Sequence, residues 1–225
     1  MNRPWLLDLF CGAGGGATGY ERAGFDVVGV DINPQPHYPF TFYQLDAMTF
    51  PLDGFDAIHA SPPCQKFTAY RRRGGGVGDS YPDLIAPVRK RLEASGIPWV
   101  MENVARSPVR PLVHLCGSSF GLDVQRHRWF ETSVPMMSLP CAHGLQKPRF
   151  PCATNRKNLR RTVEIGVWRI PLSVQQRAMG IDWMTLEELT EAIPPAYTEY
   201  IGGQLIDHRP CVKECCHAPA DNPSD

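Results

Sequence analysis

The pattern that most restricts the fold lies near the N-terminus. An apolar run, Trp5–Phe10, leads into a glycine-rich turn at 11–16, and Ala17–Ala23 has helical character. A second apolar run, Phe25–Val30, then ends at Asp31. Strand, glycine turn, helix, strand and acid, in this order, form the first half of a doubly wound α/β sheet, in which a nucleotide-like cofactor binds at the helix N-terminus. We therefore predict a Rossmann-like doubly wound sheet.

This pattern does not by itself identify the cofactor. Gly14-x-Gly16-x-x-Gly19 fits a dinucleotide-binding pattern, and Asp31 lies near the distance expected of a ribose-binding acid. Sites for NAD and for S-adenosylmethionine (SAM) share this geometry, so a NAD-dependent oxidoreductase remains an alternative. Glycines that serve only a tight turn are the simplest alternative.

Further strands extend the predicted sheet. Thr41–Leu45 is a candidate third strand, and Asp46 after it is placed either to contact an adenine amino group or to cap a helix. Phe55–Ala60 is the fourth strand, and Ile97–Met101 is the fifth. Helices are predicted over Tyr81–Ser95, Ser173–Met179, Leu186–Ile193 and Tyr197–Ile206.

A thiol and a carboxyl group follow neighbouring predicted strands. Pro62 and Pro63 restrict the backbone before Cys64, and Glu102 follows the fifth strand. Ligands of open parallel sheets bind outside the carboxyl ends of the strands, so both groups would face a ligand there. The thiol of Cys64 suits a nucleophile and the carboxyl group of Glu102 suits an acid. A packed apolar cysteine and a capping or ion-paired glutamate are the alternatives.

Basic residues are clustered although 23 Lys and Arg balance 23 Asp and Glu. One cluster lies in the glycine-rich loop 66–80, which has the character of a lid or binding loop, and another lies between 147 and 161. Such runs are either solvated faces or phosphate contacts. The candidate nucleic-acid contacts are Gln65, Arg71, Arg72, Arg73, Arg156, Lys157, Arg160 and Arg161.

Taken together, these motifs resemble the cytosine-C5 DNA methyltransferase family, in order from about residue 5 to 206. Asp8-Leu9-Phe10-Cys11-Gly12-Ala13-Gly14-Gly15 is similar to its SAM-binding motif, and Pro62-Pro63-Cys64-Gln65 to its nucleophile motif. Glu102-Asn103-Val104 resembles its acid motif, and Arg126-His127-Arg128-Trp129-Phe130 its arginine element. Tyr200-Ile201-Gly202-Gly203-Gln204 resembles its final motif.

The resemblance implies SAM as cofactor and a flipped cytosine of double-stranded DNA as substrate. It implies that Cys64 adds to C6, that Glu102 acts at N3, and that Arg126 and Arg128 hold O2. Alternating spacing would put the two arginines on one face of a strand. The implied cofactor-binding residues are Asp8, Phe10, Cys11, Gly12, Gly14, Gly15, Asp31, Ile32, Asp46, Ala47, Pro62 and Gln204.

We expect a catalytic domain from residues 1–130 and 166–208, a short irregular target-recognition region at 131–165, and a flexible tail at 209–225 that contains Cys and His. Because the recognition region is short, RNA remains an alternative polymer. A catalytically silent protein that binds nucleic acid or SAM is a further alternative. A signal segment and a membrane span are not evident, so we expect a cytoplasmic protein. We also expect it to be a monomer.

The eight cysteines indicate thiols, metal ligands or a nucleophile, not a disulfide framework. Cys116, Cys141, His143 and Cys152 could bind zinc, but their spacing matches no standard pattern. The same holds for the Cys and His residues of the tail. We therefore predict no metal site and expect these cysteines to be packed or solvent-accessible.

Overall fold

The computed structural model describes residues 2–67, 82–148, 150–151 and 158–208. The strands are β1 (Trp5–Leu9), β2 (Asp26–Asp31), β3 (Thr41–Gln44), β4 (Ala57–Ala60), β5 (Trp99–Val104), β6 (Val113–Leu115), β7 (Arg128–Thr132), β8 (Phe150–Pro151) and β9 (Leu159–Arg160). The helices are α1 (Gly15–Arg22), α2 (Ile85–Ser95), α3 (Leu172–Met179), α4 (Leu186–Glu191) and α5 (Pro195–Ile206), with short 3-10 turns at Gly117–Phe120 and His143–Leu145.

Seven strands form one sheet in the order β3-β2-β1-β4-β5-β7-β6. The first five are parallel, and β7 runs antiparallel to both β5 and β6. The chain winds outward from β1 to β3 and then returns to place β4 on the other side of β1. This topology confirms the predicted doubly wound, Rossmann-like sheet, and its switch point lies between β1 and β4.

The helices cover both faces of the sheet, as the alternation of side chains in β1 requires. Leu6 points to the face that packs with α1 and α5, where Tyr20 and Tyr197 are fully buried. Leu7 points to the opposite face, which packs with α2 through Leu92. Because both faces are covered, the central strands are almost continuously apolar.

Helices α1 and α5 approach each other closely at Gly19. The Thr198 hydroxyl donates a 2.7 Å hydrogen bond to the carbonyl of Gly16, and a Cβ at Gly19 would lie 2.1 Å from the Pro195 carbonyl oxygen. Gly19 therefore allows the two helices to pack. This packing role, rather than a pyrophosphate contact, accounts for the last glycine of the dinucleotide-like pattern.

Strand β5 is longer than its apolar sequence predicts. The predicted end at Met101 is wrong, because Glu102, Asn103 and Val104 continue the strand and pair with β7. Glu102 lies opposite Phe130 in this antiparallel pair. The polar side chains suggested a strand end, but pairing with β7 satisfies their backbone groups.

Several helix boundaries also differ from the prediction. Helix α2 begins at Ile85, whose amide donates to Asp83, rather than at residue 81. Helix α4 ends at Glu191, before the expected Ile193. Helix α5 begins at Pro195 rather than at the expected Tyr197, because a proline is tolerated in the first turn of a helix, where its missing N–H costs little.

The expected recognition region follows the main sheet, although the boundary placed after residue 130 falls inside β7. Its described part is largely irregular and contains the two-residue ribbon of β8 and β9. The division into domains stays a prediction, and the expected tail at 209–225 lies outside the described residues. In the part of the chain that is described, no helix is both long and apolar enough to span a bilayer.

Replacing Gly19 with alanine should destabilise the protein by about 2 kcal/mol or more, because the new methyl group overpacks the contact between α1 and α5. Gly203→Ala is the matched control, because Gly203 lies in α5 and a Cβ there would meet open space. This substitution should raise the free energy of unfolding by about 0.5–1 kcal/mol. Urea unfolding measures both changes. Equal stability of Gly19→Ala and the wild type would refute the packing role.

Candidate active site

A cavity of about 590 Å³ opens at the carboxyl ends of β1, β4 and β5. This is the switch point of the sheet, where a doubly wound fold binds its ligand. The predicted site residues that line it are Asp8, Phe10, Cys11, Gly12, Gly15, Asp31, Ile32, Asp46, Ala47, Pro62, Cys64, Gln65, Glu102 and Arg128. The structure thus brings most of the predicted cofactor-binding and catalytic residues to one place.

The glycine turn is fastened to the end of β2 by Asp31. The amide of Gly12 donates to one carboxylate oxygen of Asp31 at 3.1 Å, and the amide of Asn33 donates to the other at 2.9 Å. Gly12 has φ of +49°, a left-handed conformation that favours glycine, and open space lies where a side chain would project. The turn therefore leaves room for a ligand beside the Asp31 carboxylate.

Asp46 serves a local turn and also lines the cavity. Its carboxylate accepts a 2.8 Å hydrogen bond from the amide of Met48. The helix that Asp46 was predicted to cap, as one of two alternatives, does not form, because the segment after it consists of turns. Ile32 is 66% exposed at the same side of the cavity, which leaves its apolar side chain free to contact a ligand.

Carboxylates dominate the cavity wall. Among the described lining residues, the acids are Asp8, Asp31, Asp46, Glu102, Glu187, Glu188 and Glu191, whereas Arg128 is the one Lys or Arg. SAM carries a sulfonium and an ammonium group, whereas NAD carries a pyrophosphate with two negative charges. The carboxylates of the described wall attract the two positive groups of SAM and repel the pyrophosphate of NAD. The wall therefore favours SAM as the cofactor and argues against the NAD alternative.

Asp8 is held largely neutral in the absence of a cation. Burial, followed by the charge of Asp31, raises the pKa of Asp8 from 3.8 to about 8, and the Tyr38 hydroxyl opposes this at 3.5 Å. A cationic ligand nearby would favour the ionised carboxylate and would be stabilised by it in return. This coupling again suits a positively charged cofactor.

The loop with the thiol is fixed to both neighbouring strands. Ser61 donates its amide to the Leu9 carbonyl at 3.0 Å, and the buried Asn103 side chain donates to the Pro62 carbonyl at 2.8 Å. The amide of Phe67 closes a turn on the Cys64 carbonyl at 2.8 Å. These bonds place Cys64 at the cavity wall, half-buried, and the sequence did not show that Asn103 would hold the loop.

Glu102 and Arg128 form an ion pair beside the thiol. Arg128 Nε lies 2.9 Å from Glu102 Oε1, and both side chains are at least 85% buried. Burial raises the pKa of Glu102, while the charges of Arg128 and Arg126 and a hydrogen bond from Ser61 oppose the rise. The net effect of these groups is a raised pKa, which favours the protonated carboxyl group relative to an exposed glutamate.

A chain of buried polar groups extends from Glu102 into the core. Ser61 lies 2.8 Å from His59 Nε2, and the Tyr20 hydroxyl lies 2.9 Å from His59 Nδ1. Burial lowers the pKa of His59 to about 3, so the ring is neutral and has one donor and one acceptor. With Ser61 donating to Glu102, Nε2 donates to Ser61 and Tyr20 donates to Nδ1. These hydrogen-bonded groups were not predicted from the sequence, although His59 in an apolar strand was a sign of a buried polar contact.

The Cys64 thiol is shifted toward its protonated form. Burial and the charge of Glu102 raise the pKa of Cys64, and Arg128 opposes them. Arg128 is thus placed to stabilise a thiolate as well as the Glu102 carboxylate.

Arg126 does not share a strand face with Arg128, so that expectation is wrong. Arg126 precedes β7, outside the strand, and its φ of +40° is a left-handed conformation that interrupts the regular alternation of a strand. Its guanidinium donates to the carbonyls of Ala192 at 2.9 Å and Thr190 at 2.5 Å, at the C-terminal end of α4. These bonds hold α4, where a cation also complements the helix dipole. The charge of Arg126 still acts on Glu102 and Cys64, and its predicted catalytic role stays a prediction.

Two predicted cofactor contacts lie outside the described cavity wall. Gln204 accepts a hydrogen bond from the Met137 amide at 2.7 Å and thereby joins α5 to the segment after β7. Gly14, with φ of +84°, precedes α1, and a Cβ there would meet Pro39 and Tyr38. Both positions therefore support the fold around the site.

The basic residues predicted to bind nucleic acid are only partly described. Arg160 pairs with Glu164 at 2.7 Å, and Arg161 donates to the carbonyls of His143 and Gln146. Their contact with nucleic acid stays a prediction. The remaining predicted contacts, Arg71, Arg72, Arg73, Arg156 and Lys157, lie outside the described residues.

A second cluster forms away from the cavity. Cys116, His127, Cys141 and His143 converge, with their ligand atoms all within 4.8 Å of one another. Three of these residues were potential ligands in the sequence, but His127 was not among them, and the irregular spacing predicted no metal site. Cys152 lies outside the described residues.

Fold and cavity together define a doubly wound α/β protein with a ligand cavity at its switch point, and comparison with known proteins gives its family. The model of the C-5 cytosine-specific DNA methylase family matches residues 5–106. The Type II methyltransferase M.HgiGI of Herpetosiphon aurantiacus is 31% identical over 119 residues, which are 45% of this chain and 90% of that protein. The chain belongs to the C-5 cytosine-specific DNA methylase family, whose cofactor is SAM.

Other relatives are longer. M.XorII of Xanthomonas oryzae pv. oryzae is 30% identical over 154 residues, which are 60% of this chain but 32% of that protein. Matches to three of the curated Type II methyltransferases span 32%, 37% and 32% of their length, about a third of each.

Two solved structures share the fold over almost the whole chain. The S. pombe Dnmt2 methyltransferase superimposes with a TM-score of 0.59 at 14% identity, covering 91% of this chain and 98% of that one. The Entamoeba histolytica methyltransferase EhMeth has a TM-score of 0.55 at 12% identity, covering 92% and 99%. At these identities, the likeness extends to the fold alone.

The alkylation rate of Cys64 should rise with pH, because the reactive species is the thiolate. Arg128→Gln should move this rise to higher pH, since Arg128 lowers the pKa of Cys64, and Glu102→Gln should move it to lower pH. Mass spectrometry of the Cys64 peptide after timed iodoacetamide treatment measures the profile. Glu187→Gln, which removes another acid of the cavity wall, is the control expected to leave it unchanged. Identical profiles for all variants would contradict this electrostatic account.

Proposed function

We propose that the protein transfers a methyl group from SAM to C5 of cytosine in DNA, through a covalent adduct between Cys64 and C6 of the base. The observation that carries the proposal is that Cys64, the Glu102–Arg128 pair and the Asp31-fastened glycine turn line one cavity. Membership of the C-5 cytosine-specific DNA methylase family supports the same reaction.

The nucleophile solves the main chemical problem of this reaction. Cytosine C5 is too weak a nucleophile to take a methyl group unaided, but a thiolate that adds to C6 converts C5 into an enamine-like carbon. The Cys64 sulfur forms the bond to C6, and the C5–C6 π electrons become available at C5. After methylation, which leaves S-adenosylhomocysteine, C5 gives its proton to water. The electrons of the C5–H bond re-form the C5–C6 double bond, and the C6–S bond breaks to release the thiolate of Cys64.

Glu102 and Arg128 stabilise the base while the adduct forms. Electron density moves toward N3 and O2 when sulfur adds to C6, and a proton or hydrogen bond at N3 offsets it. We assign this group to Glu102, because burial raises the pKa of its carboxyl group and so favours the protonated form that can donate to N3. Arg128, already 2.9 Å from Glu102, supplies the positive charge for O2. Arg126 contributes through its charge and through its hold on α4.

The cofactor residues are those of the glycine turn and the ends of β2 and β3. In this proposal Asp31 binds the ribose diol, Asp46 binds the adenine amino group, and Ile32 contacts the face of the adenine ring; the support is that all three line the cavity. When bound, SAM supplies the electrophilic methyl group. Asp8 and the other acids of the wall complement its positive charge.

Double-stranded DNA is the proposed polymer, and the target base must leave the stack to reach Cys64. The cavity, which opens at one edge of the sheet, would receive the flipped base next to the cofactor. RNA carries the same base, so the choice of polymer is an outcome of the experiment below. The predicted monomeric state and cytoplasmic location stay predictions.

The experiment is to incubate the protein with labelled SAM and a duplex that contains 5-fluorocytosine. Fluorine at C5 cannot leave as a proton does, so the methylated adduct accumulates. We expect a covalent complex that resists denaturation, is absent in Cys64→Ala and forms about 10²-fold or more slowly in Glu102→Gln.

Controls separate a failed site from a failed fold. Cys64→Ala should keep its melting temperature and its affinity for S-adenosylhomocysteine, because the thiol makes no cofactor contact in the proposal. A single-stranded RNA with 5-fluorocytosine is tested in parallel. An adduct on RNA alone would select the RNA alternative, and cofactor binding with no adduct on either polymer would select the catalytically silent alternative.

The short recognition region should give low sequence selectivity, since few side chains are available to contact base edges. We expect methylation of a panel of duplexes with varied sequence around the target cytosine to vary only modestly in rate. Bisulfite sequencing of the products reports the sites. Strict selectivity over five or six base pairs, at about 1–3 kcal/mol for each mismatch, would contradict this expectation.

A further inference from the structure

Four potential metal ligands meet at one end of the antiparallel β6–β7 pair. Cys116 directly follows β6, and His127 directly precedes β7. Leu115 and Arg128 are opposite each other in this pair, so their neighbours Cys116 and His127 emerge together. Cys141 and His143 come from the segment after β7 and reach the same point. The fold thus assembles a ligand set that sequence spacing alone did not reveal.

The geometry of the cluster suits a tetrahedral metal ion. Cys116 Sγ lies 3.2 Å from His143 Nε2, and Cys141 Sγ lies 3.4 Å from His127 Nε2. All four ligand atoms lie within 4.8 Å of one another. With Zn–S of about 2.3 Å and Zn–N of about 2.0 Å, the ligand atoms of a tetrahedral site are about 3.3–3.8 Å apart. A small contraction of the longer separations would therefore complete the coordination.

The chemistry of the ligands selects zinc among common metals. Two thiolates and two imidazoles form the soft-to-borderline set that binds zinc in structural sites, whereas calcium and magnesium require oxygen ligands. Four protein ligands leave no open coordination position, so the site is structural rather than catalytic. It is also separate from the proposed methyl-transfer cavity, because none of its four residues lines the described cavity wall.

Two of the four side chains are exposed to solvent, so hydrogen bonds between thiols and imidazoles do not by themselves explain why the cluster forms. Cys116 is buried, but His127 and Cys141 are exposed, where water can satisfy each polar group separately. The two imidazole rings are nevertheless held edge to face, with centroids 5.2 Å apart. A shared metal ion gives these exposed side chains a reason to converge.

Polar groups around the cluster hold the ligands in position. Ser118 Oγ lies 3.1 Å from Cys116 Sγ and accepts a 3.0 Å hydrogen bond from the amide of Ala142, between the two later ligands. Arg161 donates to the His143 carbonyl at 3.3 Å and brings a positive charge near the thiolates. Such surrounding contacts orient the ligands of metal sites.

We propose that Cys116, His127, Cys141 and His143 bind one structural zinc ion that fastens the segment after β7 to the main sheet. His127 is next to Arg128, so the ion would also stabilise the start of the strand that carries this arginine. The proposal goes beyond methyl transfer and does not depend on it, because the metal site and the cavity use different residues.

The test is metal analysis of the full chain, purified under reducing conditions, incubated with Zn²⁺ and then desalted. We expect about one zinc ion per chain, and a melting temperature that falls by several degrees when the metal is removed by a chelator. Cys141→Ser and His127→Asn should each lower the retained zinc at least about tenfold. Both replaced side chains are exposed, so the substitutions should leave the core intact.

Matched controls are Cys64→Ser, which removes a thiol elsewhere, and His114→Asn, which removes an exposed histidine outside the cluster; both should retain zinc. Cobalt replaces zinc for a second readout, in which wild type should show the visible bands of tetrahedral Co²⁺ with thiolate charge transfer. Less than about a tenth of a zinc ion per wild-type chain would overturn the proposal. Undiminished zinc in Cys141→Ser and His127→Asn would overturn it too, because the metal would then bind elsewhere.

Discussion

The parallel pairing of β1 with β4 is the constraint on which the site depends. Leu6 to Leu9 pair in register with Ala57 to Ala60, so the two strands end level with each other. The glycine turn that follows β1 and the loop of Cys64 that follows β4 therefore emerge side by side at one edge. Each strand alone would supply a common local motif. Their alignment brings a cofactor site within reach of a nucleophile.

Buried polar contacts convert this proximity into a defined geometry. Asn103 holds the loop of Cys64 through the Pro62 carbonyl, and the ion pair of Glu102 with Arg128 joins the antiparallel strands β5 and β7. Separating a buried ion pair is costly, since either charge alone would be left without compensation. The same charges act in opposite directions on the thiol, so one pair both supports the fold and sets the protonation of the site.

Local patterns predicted the sheet and most of the cavity, because strands, glycine turns and the acids after strands are encoded by neighbouring residues. Arg126 does not share a strand face with Arg128, because it precedes β7, and regular strand alternation gave no sign of its left-handed backbone. Gln204 lies in the expected helix but contacts Met137, which only tertiary packing determines. His127 was missed as a potential ligand, because the pairing of β6 with β7, not sequence spacing, brings it to Cys116.

The central claim is that Cys64 and a bound methyl donor act together on carbon 5 of cytosine. Its most direct test is to incubate DNA with SAM that carries a deuterated methyl group and to identify the labelled nucleoside by mass spectrometry after digestion. We expect label in 5-methyldeoxycytidine with the wild-type protein and none with Cys64→Ser. Label on an exocyclic nitrogen, or equal labelling by Cys64→Ser, would contradict it.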